Sequence, residues 1–252
     1  MGEMRKPFQG VTNIIRFNWH FYALALLLVI LLLLIAYHTD NSLQPLIYTF
    51  CILVSGSTAI SLLVSLYVYD LSGLYSLSWV DPQNTIGHII NIHAGFDETS
   101  TLLQDKFRHA ELKVLDFYDP VKHTEISIKR ARRSYPPFPK TKQVKTTDLQ
   151  LITGSADRIF VIFSAHEIRD EKERALFFQE LARILKPQGQ IYITEHLRDL
   201  PNFIAYNIGF FHFYARRSWL KAFRNASLNV RQEIKLTPFI STFILSKNGN
   251  TL

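Results

Sequence analysis

Carboxylate and imidazole side chains are concentrated in four short segments of the sequence, and each segment follows a run of apolar residues. The segments are 91–97, 116–119, 164–167 and 195–196. A histidine with a near-neutral pKa can accept the proton of an oxygen or carbon nucleophile, and an ionised carboxylate accepts hydrogen bonds from hydroxyl groups. The residue types therefore indicate proton transfer and the binding of a polar ligand, with His93, His166 and His196 as candidate bases.

The histidines and acids do not have the spacing of a metal site. HAGFD and SAHE lack the HExxH pattern, which places two ligands on one face of a helix, and Cys51 is the only cysteine. GSAD precedes a predicted strand, whereas the serine of a hydrolase elbow follows one. We therefore predict no metal site, no intrachain disulfide and no serine hydrolase chemistry.

The elements that would position the four segments are strands and helices that alternate from Gly87 onward. HIINI, LKVLDF, IFVIFS and IYITEH predict strands, HTEISIKRARRSY and EKERALFFQELARIL have helical patterns, and two closing strands are predicted near RQEIKLTPF and TFILSK. This alternation predicts a parallel sheet with helices on both faces. Since ligands bind beyond the carboxyl ends of such strands, the four polar segments are expected at one edge of the sheet.

The first third of the chain has a different composition. No Asp, Glu, Lys or Arg occurs between Arg16 and Asp40, and a second uncharged run extends from Asn41 to Tyr69. Each run supplies the ~20 apolar residues that cross a hydrocarbon core of about 30 Å. We predict a transmembrane hairpin with helices at about 21–38 and 46–68, joined by the polar turn HTDNSLQP.

Basic residues set the expected orientation of the hairpin. Arg5, Lys6 and Arg16 precede it, and its short turn has none, so the positive-inside rule places both termini and the soluble domain of this integral membrane protein in the cytosol. Small residues at 55–59 allow close packing within the hairpin or a homo-oligomer contact through it. The predicted organisation is a cytosolic N-terminal segment (1–20), the hairpin (21–69), a linker (70–86) and a soluble domain (87–252).

The net charge of +7 is spread over the C-terminal two thirds of the chain, with one cluster at Lys129, Arg130, Arg132 and Arg133. A solvated helix face accounts for that cluster, and anionic lipid headgroups are the alternative partner for a basic protein held at a membrane. We predict a lipid bilayer and no nucleic acid as the macromolecular partner.

The segment 148–196 resembles the second half of a class I methyltransferase that uses S-adenosylmethionine. DLQLITGSADRIFVIFSAHEIRDEKERALFFQELARILKPQGQIYITEH follows the order of that family: an acid, a strand that ends near a histidine, a helix that ends in LKPxG, and another strand. The resemblance extends over about 87–248. It implies an α/β fold, a Rossmann-like seven-stranded sheet with helices on both faces, and S-adenosylmethionine as the cofactor.

The resemblance also implies roles for individual residues. In IINIHAGFDET, Asn91 stands where the family has an acid, and the three glycine positions hold the residues His93, Gly95 and Asp97. Asp116 matches the acid that binds the ribose hydroxyls, Asp148 matches the acid beside the adenine, and Ser164 follows the fourth strand on the cofactor side. Two of the three glycines are therefore replaced.

The acceptor side of the site is expected after the fourth and fifth strands. Glu195, His196 and His166 are the candidate catalytic residues there. The stretch LRDLPNFIAYNIGFFHFYARRSWLKAF follows and is aromatic and apolar, with basic residues at its end. It suits either a cap helix of the core or a segment in the membrane interface, and Tyr206, Asn207 and His212 are the expected polar contacts to a substrate.

Three functions are compatible with this sequence. A membrane-anchored methyltransferase would act on a lipophilic acceptor such as a quinone precursor, a phospholipid or another lipid. A non-catalytic binding protein would keep the fold and lose the cofactor, as the replaced glycines allow. A dinucleotide oxidoreductase is disfavoured because the GxGxxG pattern is absent.

Overall fold

The computed structural model describes residues 5–81 and 87–248. Residues 1–4 of the expected N-terminal segment, 82–86 of the expected linker and 249–252 of the soluble domain lie outside the described residues. The helices are α1 Gln9–His38, α2 Gln44–Leu66, α3 Ser100–Lys106, α4 Ile126–Ser134, α5 Glu171–Ile184, α6 Leu200–Tyr206 and α7 Arg216–Asn225. The strands are β1 His88–His93, β2 Glu111–Asp116, β3 Lys142–Gln143, β4 Ala156–Ile162, β5 Leu185–His196, β6 Leu228–Thr237 and β7 Ile240–Lys247.

The strands form one seven-stranded sheet in the order β3-β2-β1-β4-β5-β7-β6. The first five strands of that order run parallel, and β7 runs antiparallel to both β5 and β6. This arrangement confirms the predicted Rossmann-like sheet, and its two closing strands form an antiparallel hairpin. From β1 the chain adds strands towards one side of the sheet (β2, β3), and from β4 it adds them towards the other side. The crevice for a ligand lies at this switch point, at the carboxyl ends of β1 and β4.

Apolar side chains cover both faces of the sheet, as predicted. One face packs against α5 and α7, where Phe177, Phe178, Trp219 and Phe223 are fully buried. The other face packs Phe160 and Tyr192 against a cluster that contains Leu103 of α3. The parallel strands are therefore buried on both sides, which explains their continuous Val, Ile and Phe content.

Helices α1 and α2 form the hairpin expected from the sequence. By length and composition Gln9–His38 and Gln44–Ser76 can each cross a membrane, and only 6% and 17% of their most apolar stretches are buried inside the protein. Core helices of a soluble protein would be largely covered, so these apolar surfaces face outward.

The first helix begins earlier than the predicted span of 21–38. Residues from Gln9 are already helical, because the Asp70 carboxylate accepts hydrogen bonds from the backbone N–H groups of Gly10 and Val11 at 2.8 Å. The helical path is kinked at Asn18, whose φ and ψ are −114° and 18°. Most of the segment expected to precede the hairpin is therefore a helical extension of α1.

The described part of the expected linker is folded against the soluble domain. A π-helical turn, Tyr67–Leu71, continues α2, and a 3₁₀ turn, Leu74–Ser76, follows it. Leu74, Leu77 and Val80 are fully buried against the sheet and its loops. The hairpin is thus joined to the sheet by packed structure between α2 and Val80.

Candidate active site

The loop after β1 is closed by its own polar side chains. Asn91 is buried and donates to the hydroxyls of Ser100 and Thr99 at 2.8 and 3.0 Å. The Asp97 carboxylate accepts the backbone N–H groups of Thr99 and Ser100 at 2.9 Å each. Asp97, placed at a position where the family has glycine, therefore binds the first donors of α3 and stabilises the start of that helix.

His93, the last residue of β1, presents a hydrogen-bond donor to the crevice. Its Nδ1 accepts the N–H of Gly95 at 3.1 Å, and burial lowers its pKa, so the ring is neutral and the proton lies on Nε2. Nε2 is buried and has no partner in the described residues, and the same holds for Oδ2 of Asp97. The two atoms form one donor and one acceptor at the crevice, which suits the carboxylate and the amino group of an amino acid.

Gly95 is needed for the shape of this loop. Its φ is +95°, and a Cβ at this position would lie 2.9 Å from atoms of Arg132 and Tyr118. The one glycine kept from the family pattern is therefore the one that the backbone and its neighbours require.

Asp116, the last residue of β2, is buried beside the same crevice and already has two partners. Its Oδ1 accepts the N–H of Tyr118 at 2.8 Å, and its Oδ2 accepts Nη1 of Arg132 at 2.6 Å. Arg132 extends from α4, lies over the Tyr118 ring at 4.3 Å, and also donates to the Gly95 carbonyl at 3.3 Å. A cation therefore occupies the place where the family resemblance puts ribose hydroxyls.

The free space at this position is small. A cavity of about 60 Å³ is lined by His93, Gly95, Phe96, Asp97, Asp116, Arg132, Tyr135, Pro136 and Pro137. Pockets that bind small molecules and cofactors usually measure about 300–1,000 Å³. The polar groups fit the ribose and amino acid ends of S-adenosylmethionine in type, but the Arg132 side chain must turn away before a nucleoside can enter.

Three of the expected cofactor residues, Asn91, Ser164 and Asp148, do not line this cavity. Ser164, at the end of β4, is buried and donates to the Ile92 carbonyl at 2.9 Å, so it joins β4 to β1 at the switch point. Asp148 lies in an exposed turn bridged to Lys145, and its carboxylate accepts the N–H of Gln150 at 2.9 Å. A role for Asp148 beside an adenine stays a prediction.

The acceptor side contains an ion network centred on His166. Its Nδ1 lies 2.6 Å from Oε2 of the fully buried Glu195, and its Nε2 lies 3.3 Å from Oε1 of Glu167. Burial by itself lowers the pKa of His166, but the two carboxylates outweigh it and raise the pKa to about 10. His166 is therefore an imidazolium at neutral pH, where it donates hydrogen bonds and cannot serve as a base.

His212 extends this network towards the surface. Its Nδ1 lies 3.0 Å from Glu125, its Nε2 lies 3.6 Å from Glu167, and its ring meets that of His166 edge to face. The ligand atoms of His166, Glu167 and His212 lie within 4.8 Å of one another, as they would around a metal ion. The guanidinium of Arg169 lies against both nitrogens of His212.

His196 belongs to a second, separate cluster. Its Nδ1 lies 2.9 Å from the Phe239 carbonyl, an acceptor, so Nδ1 carries the proton and Nε2 accepts from the Tyr69 hydroxyl at 2.8 Å. Burial lowers the pKa of His196 to about 4, and its ring is stacked between Phe163 and Phe213. His196 is therefore a neutral, fixed ring that joins the end of the hairpin to the end of β5.

The remaining expected substrate residues lie in the aromatic stretch beside this cluster. Tyr206 ends α6, its ring meets His196 edge to face, and its hydroxyl is buried without a partner in the described residues. Asn207 is exposed, has a φ of +48° and begins the 3₁₀ segment Asn207–His212. Helix α6 packs against α2, and Ile208 and Phe211 of the 3₁₀ segment are 84% and 63% exposed. The stretch forms an apolar surface at the base of the hairpin.

The N-terminal part of α1 lies across the crevice. Asn13 contacts Glu98 at 3.2 Å and accepts from the Tyr135 hydroxyl at 2.8 Å, and Phe17 meets the ring of Phe96 edge to face. Arg5 pairs with Glu98 at 2.9 Å. This part of the chain therefore covers the loop after β1 from the side of the hairpin.

Sequence reasoning missed Arg132, Tyr69 and the cover formed by α1. The basic cluster on α4 is expected to form a solvated helix face, and Lys129, Arg132 and Arg133 are exposed. Arg132 nevertheless binds Asp116, and Arg130 donates to the Phe17 carbonyl at 2.6 Å. From the sequence alone, Tyr69 is only the end of the second uncharged run. These contacts join residues that are far apart in the chain, so no local pattern could reveal them.

Comparisons with known proteins agree with this fold. Residues 95–193 match the family described as a methyltransferase domain. A methyltransferase from Aquifex aeolicus that depends on S-adenosylmethionine is similar over 75% of this chain and 97% of its own, with 14% identity and a TM-score of 0.51. Mitomycin 7-O-methyltransferase MmcR is similar over 97% of this chain and 74% of its own, with 11% identity and a TM-score of 0.54. No curated protein matches the sequence significantly.

A third structure is an O-methyltransferase family 2 protein from Planctomyces limnophilus in complex with apigenin. It is similar over 76% of this chain and 61% of its own, with 12% identity and a TM-score of 0.51. At these identities the structures show the fold. The family match covers residues 95–193 and agrees with the methyltransferase domain expected from the sequence.

Proposed function

We propose that this chain, whose soluble part is a class I methyltransferase domain, is anchored in a membrane by its hairpin and methylates a lipophilic acceptor that arrives from the bilayer. The contact between the Tyr69 hydroxyl and Nε2 of His196, at 2.8 Å, carries the proposal. It joins the end of the apolar hairpin directly to the carboxyl end of β5, on the side of the sheet where an acceptor binds. A bilayer that held the hairpin would then lie beside the site.

The apolar surfaces around this contact support entry from the membrane. The outward face of the hairpin continues into α6 and the 3₁₀ segment 207–212, where Ile208 and Phe211 are exposed. An apolar aromatic segment at this position suits the headgroup region of a bilayer. The same segment ends at His212, within the ion network of His166. The path from lipid to site is therefore short.

The polar groups of the site have distinct proposed roles. S-adenosylmethionine, when bound, supplies the activated methyl group, so the protein contributes position and charge. Asp116 would hold the ribose, and His93 and Asp97 would hold the amino acid end. Because His166 is an imidazolium between Glu195 and Glu167, it would orient the acceptor as a hydrogen-bond donor. Neutral His196 could take a proton only where the Tyr69 hydroxyl releases its Nε2.

One observation favours the second candidate, a non-catalytic binding protein. The Arg132 guanidinium fills the ribose position and leaves a cavity of about 60 Å³. If Arg132 never leaves Asp116, the domain keeps the fold and binds no cofactor. The two candidates therefore differ in whether the protein binds S-adenosylmethionine at all.

Two measurements on the purified full-length protein test the proposal. Calorimetry in an uncharged detergent should show binding of S-adenosylmethionine, and Asp116→Asn should weaken it. In lipid nanodiscs made from a membrane lipid extract, the methyl label of S-adenosylmethionine should pass into the fraction that organic solvent extracts. The matched control is Asp105→Asn, an exposed carboxylate on α3.

Each outcome identifies the part of the proposal that fails. No binding at millimolar S-adenosylmethionine would support the non-catalytic candidate. If S-adenosylmethionine binds but the methyl label appears only in water-soluble products, the acceptor is not lipophilic. Release of the chain from membranes by alkaline carbonate would show that the hairpin is not inserted in the bilayer.

A further inference from the structure

A second cavity, of about 560 Å³, lies between α5 and α7 and shares no lining residue with the crevice at Asp116. Six of the residues that line it are cations and one, Glu171, is an acid. The cations are Arg169, Arg174, Arg198, Arg217, Lys221 and Arg224. We name it the basic cavity.

Some of these cations are held by the protein. Lys221 pairs with Glu171 at 2.7 Å. Arg174 is buried, donates to the Ile168 carbonyl at 2.8 Å and lies 4.0 Å from the centre of the Tyr214 ring. Arg169 lies 3.7 Å from Glu125, so two of the six positive charges of the basic cavity are paired with acids.

Arg217 and Arg224 have no such partner. Both side chains are exposed, and neither makes a hydrogen bond or an ion pair with the described residues. They are seven residues apart on α7, which places them on one face of the helix, two turns apart. The planar donor fork of arginine matches phosphate oxygens. A cavity with several cations and one paired acid therefore suits a phosphate-bearing anion.

The position of the basic cavity indicates the source of the phosphate. Arg198 lines it and donates to the carbonyl of Phe211 at 2.5 Å, in the 3₁₀ segment that exposes Ile208 and Phe211. The cavity thus opens beside the apolar surface at the base of the hairpin. Cations next to an apolar interfacial segment attract anionic headgroups.

We propose that the basic cavity binds the phosphate of an anionic phospholipid at the bilayer surface and so fixes the orientation of the soluble domain. The inference rests on the membrane placement given under the proposed function. It is independent of the acceptor and of methyl transfer, since no residue of the basic cavity lines the crevice at Asp116.

The test uses the full-length protein in an uncharged detergent, where binding to a headgroup is separated from insertion of the hairpin. Dihexanoyl phosphatidylglycerol and dihexanoyl phosphatidylcholine are titrated and followed by calorimetry. We expect the anionic lipid to bind more tightly, and the double variant Arg217→Gln, Arg224→Gln to weaken it roughly 10- to 30-fold, since each cation near a lipid surface contributes about a factor of five. The matched control is Arg108→Gln, Lys142→Gln, which removes two exposed cations, one before β2 and one on β3 at the other end of the strand order, and should change nothing.

Several results would overturn the inference. Equal affinity for the two lipids, or equal weakening in the control variant, would show that no headgroup site exists. Inorganic phosphate that binds as tightly as the anionic lipid would show a site for free phosphate. RNA that binds more tightly than the lipid, with binding that is lost in the double variant, would show that this is a nucleic-acid surface.

If the double variant fails to fold, Arg217→Glu alone replaces it and should weaken lipid binding at least as much. If methyl transfer is absent but the protein still prefers the anionic headgroup, the proposed function fails and the headgroup site stands.

Discussion

At the residue scale, Arg132 controls access to the cofactor position. Its ion pair with the buried Asp116, at 2.6 Å, must break before ribose hydroxyls can reach the carboxylate. We predict that Arg132→Ala binds S-adenosylmethionine about fivefold more tightly than the wild type, since a partly solvated ion pair contributes about 1 kcal/mol. Calorimetry on both proteins measures the difference.

Arg133→Ala is the control, because Arg133 is an exposed cation on the same helix and makes no contact with Asp116. Its affinity should equal that of the wild type. Weaker binding by Arg132→Ala would show instead that the guanidinium contacts the cofactor or holds Asp116 in place.

A second residue-scale prediction concerns the charge of His166. Glu195 and Glu167 raise its pKa from the usual 6.5 to about 10, so the charged form stabilises the fold fully below pH 6.5, and this stabilisation is lost as the pH rises to about 10. Carbon-13 NMR of labelled histidine should show no titration of His166 near pH 7 in the wild type. In Glu195→Gln its pKa should fall.

His166→Asn identifies the resonance, and denaturation at pH 6.5 and pH 10 provides the matching stability measurement. The free energy of unfolding of the wild type should decrease over that interval more than that of Glu195→Gln. A wild-type His166 that titrates near pH 6.5 would contradict the ion network.

At the element scale, Asp70 determines where α1 begins. Its carboxylate accepts the N–H groups of Gly10 and Val11 at 2.8 Å, although it is distant from them in the chain. We predict that Asp70→Ala destabilises the start of α1 by about 1 kcal/mol, as the loss of a helix cap does. Hydrogen exchange of the amides at 9–18 should become faster. Asp105→Ala removes an exposed carboxylate and should leave these amides unchanged.

The same element shows how far the sequence determines the structure. The apolar run up to His38 and the strand patterns at β1, β4 and β5 were predictable because they depend on local composition and period. The start of α1 was not predictable, because it depends on an acid some sixty residues away. Asp116 and Glu195 were predictable as candidates for the same reason as the strands, since Asp116 ends β2 and Glu195 is next to the last residue of β5. Their partners Arg132 and His166 are set by packing across the sheet edge.

At the scale of the whole molecule, the hairpin, the cover of the crevice and the aromatic stretch lie on one side of the sheet. Tyr69 binds His196, Asn13 binds Glu98, and α6 packs on α2. A membrane around the hairpin would therefore fix which edge of the soluble domain faces lipid. The position of the hairpin would then determine how the site is oriented relative to the bilayer.

Two exposed isoleucines test this orientation. Ile208, 84% exposed, lies at the base of the hairpin, and Ile152, 81% exposed, lies in the loop before β4 at the opposite edge of the sheet. We predict that a nitroxide at Ile208→Cys, in a Cys51→Ala background, is relaxed by oxygen more than by a water-soluble nickel chelate in lipid nanodiscs. A nitroxide at Ile152→Cys should show the reverse, because that edge faces water. Equal access of the nickel chelate at both positions would place the aromatic stretch outside the bilayer and leave the acceptor without a path from lipid.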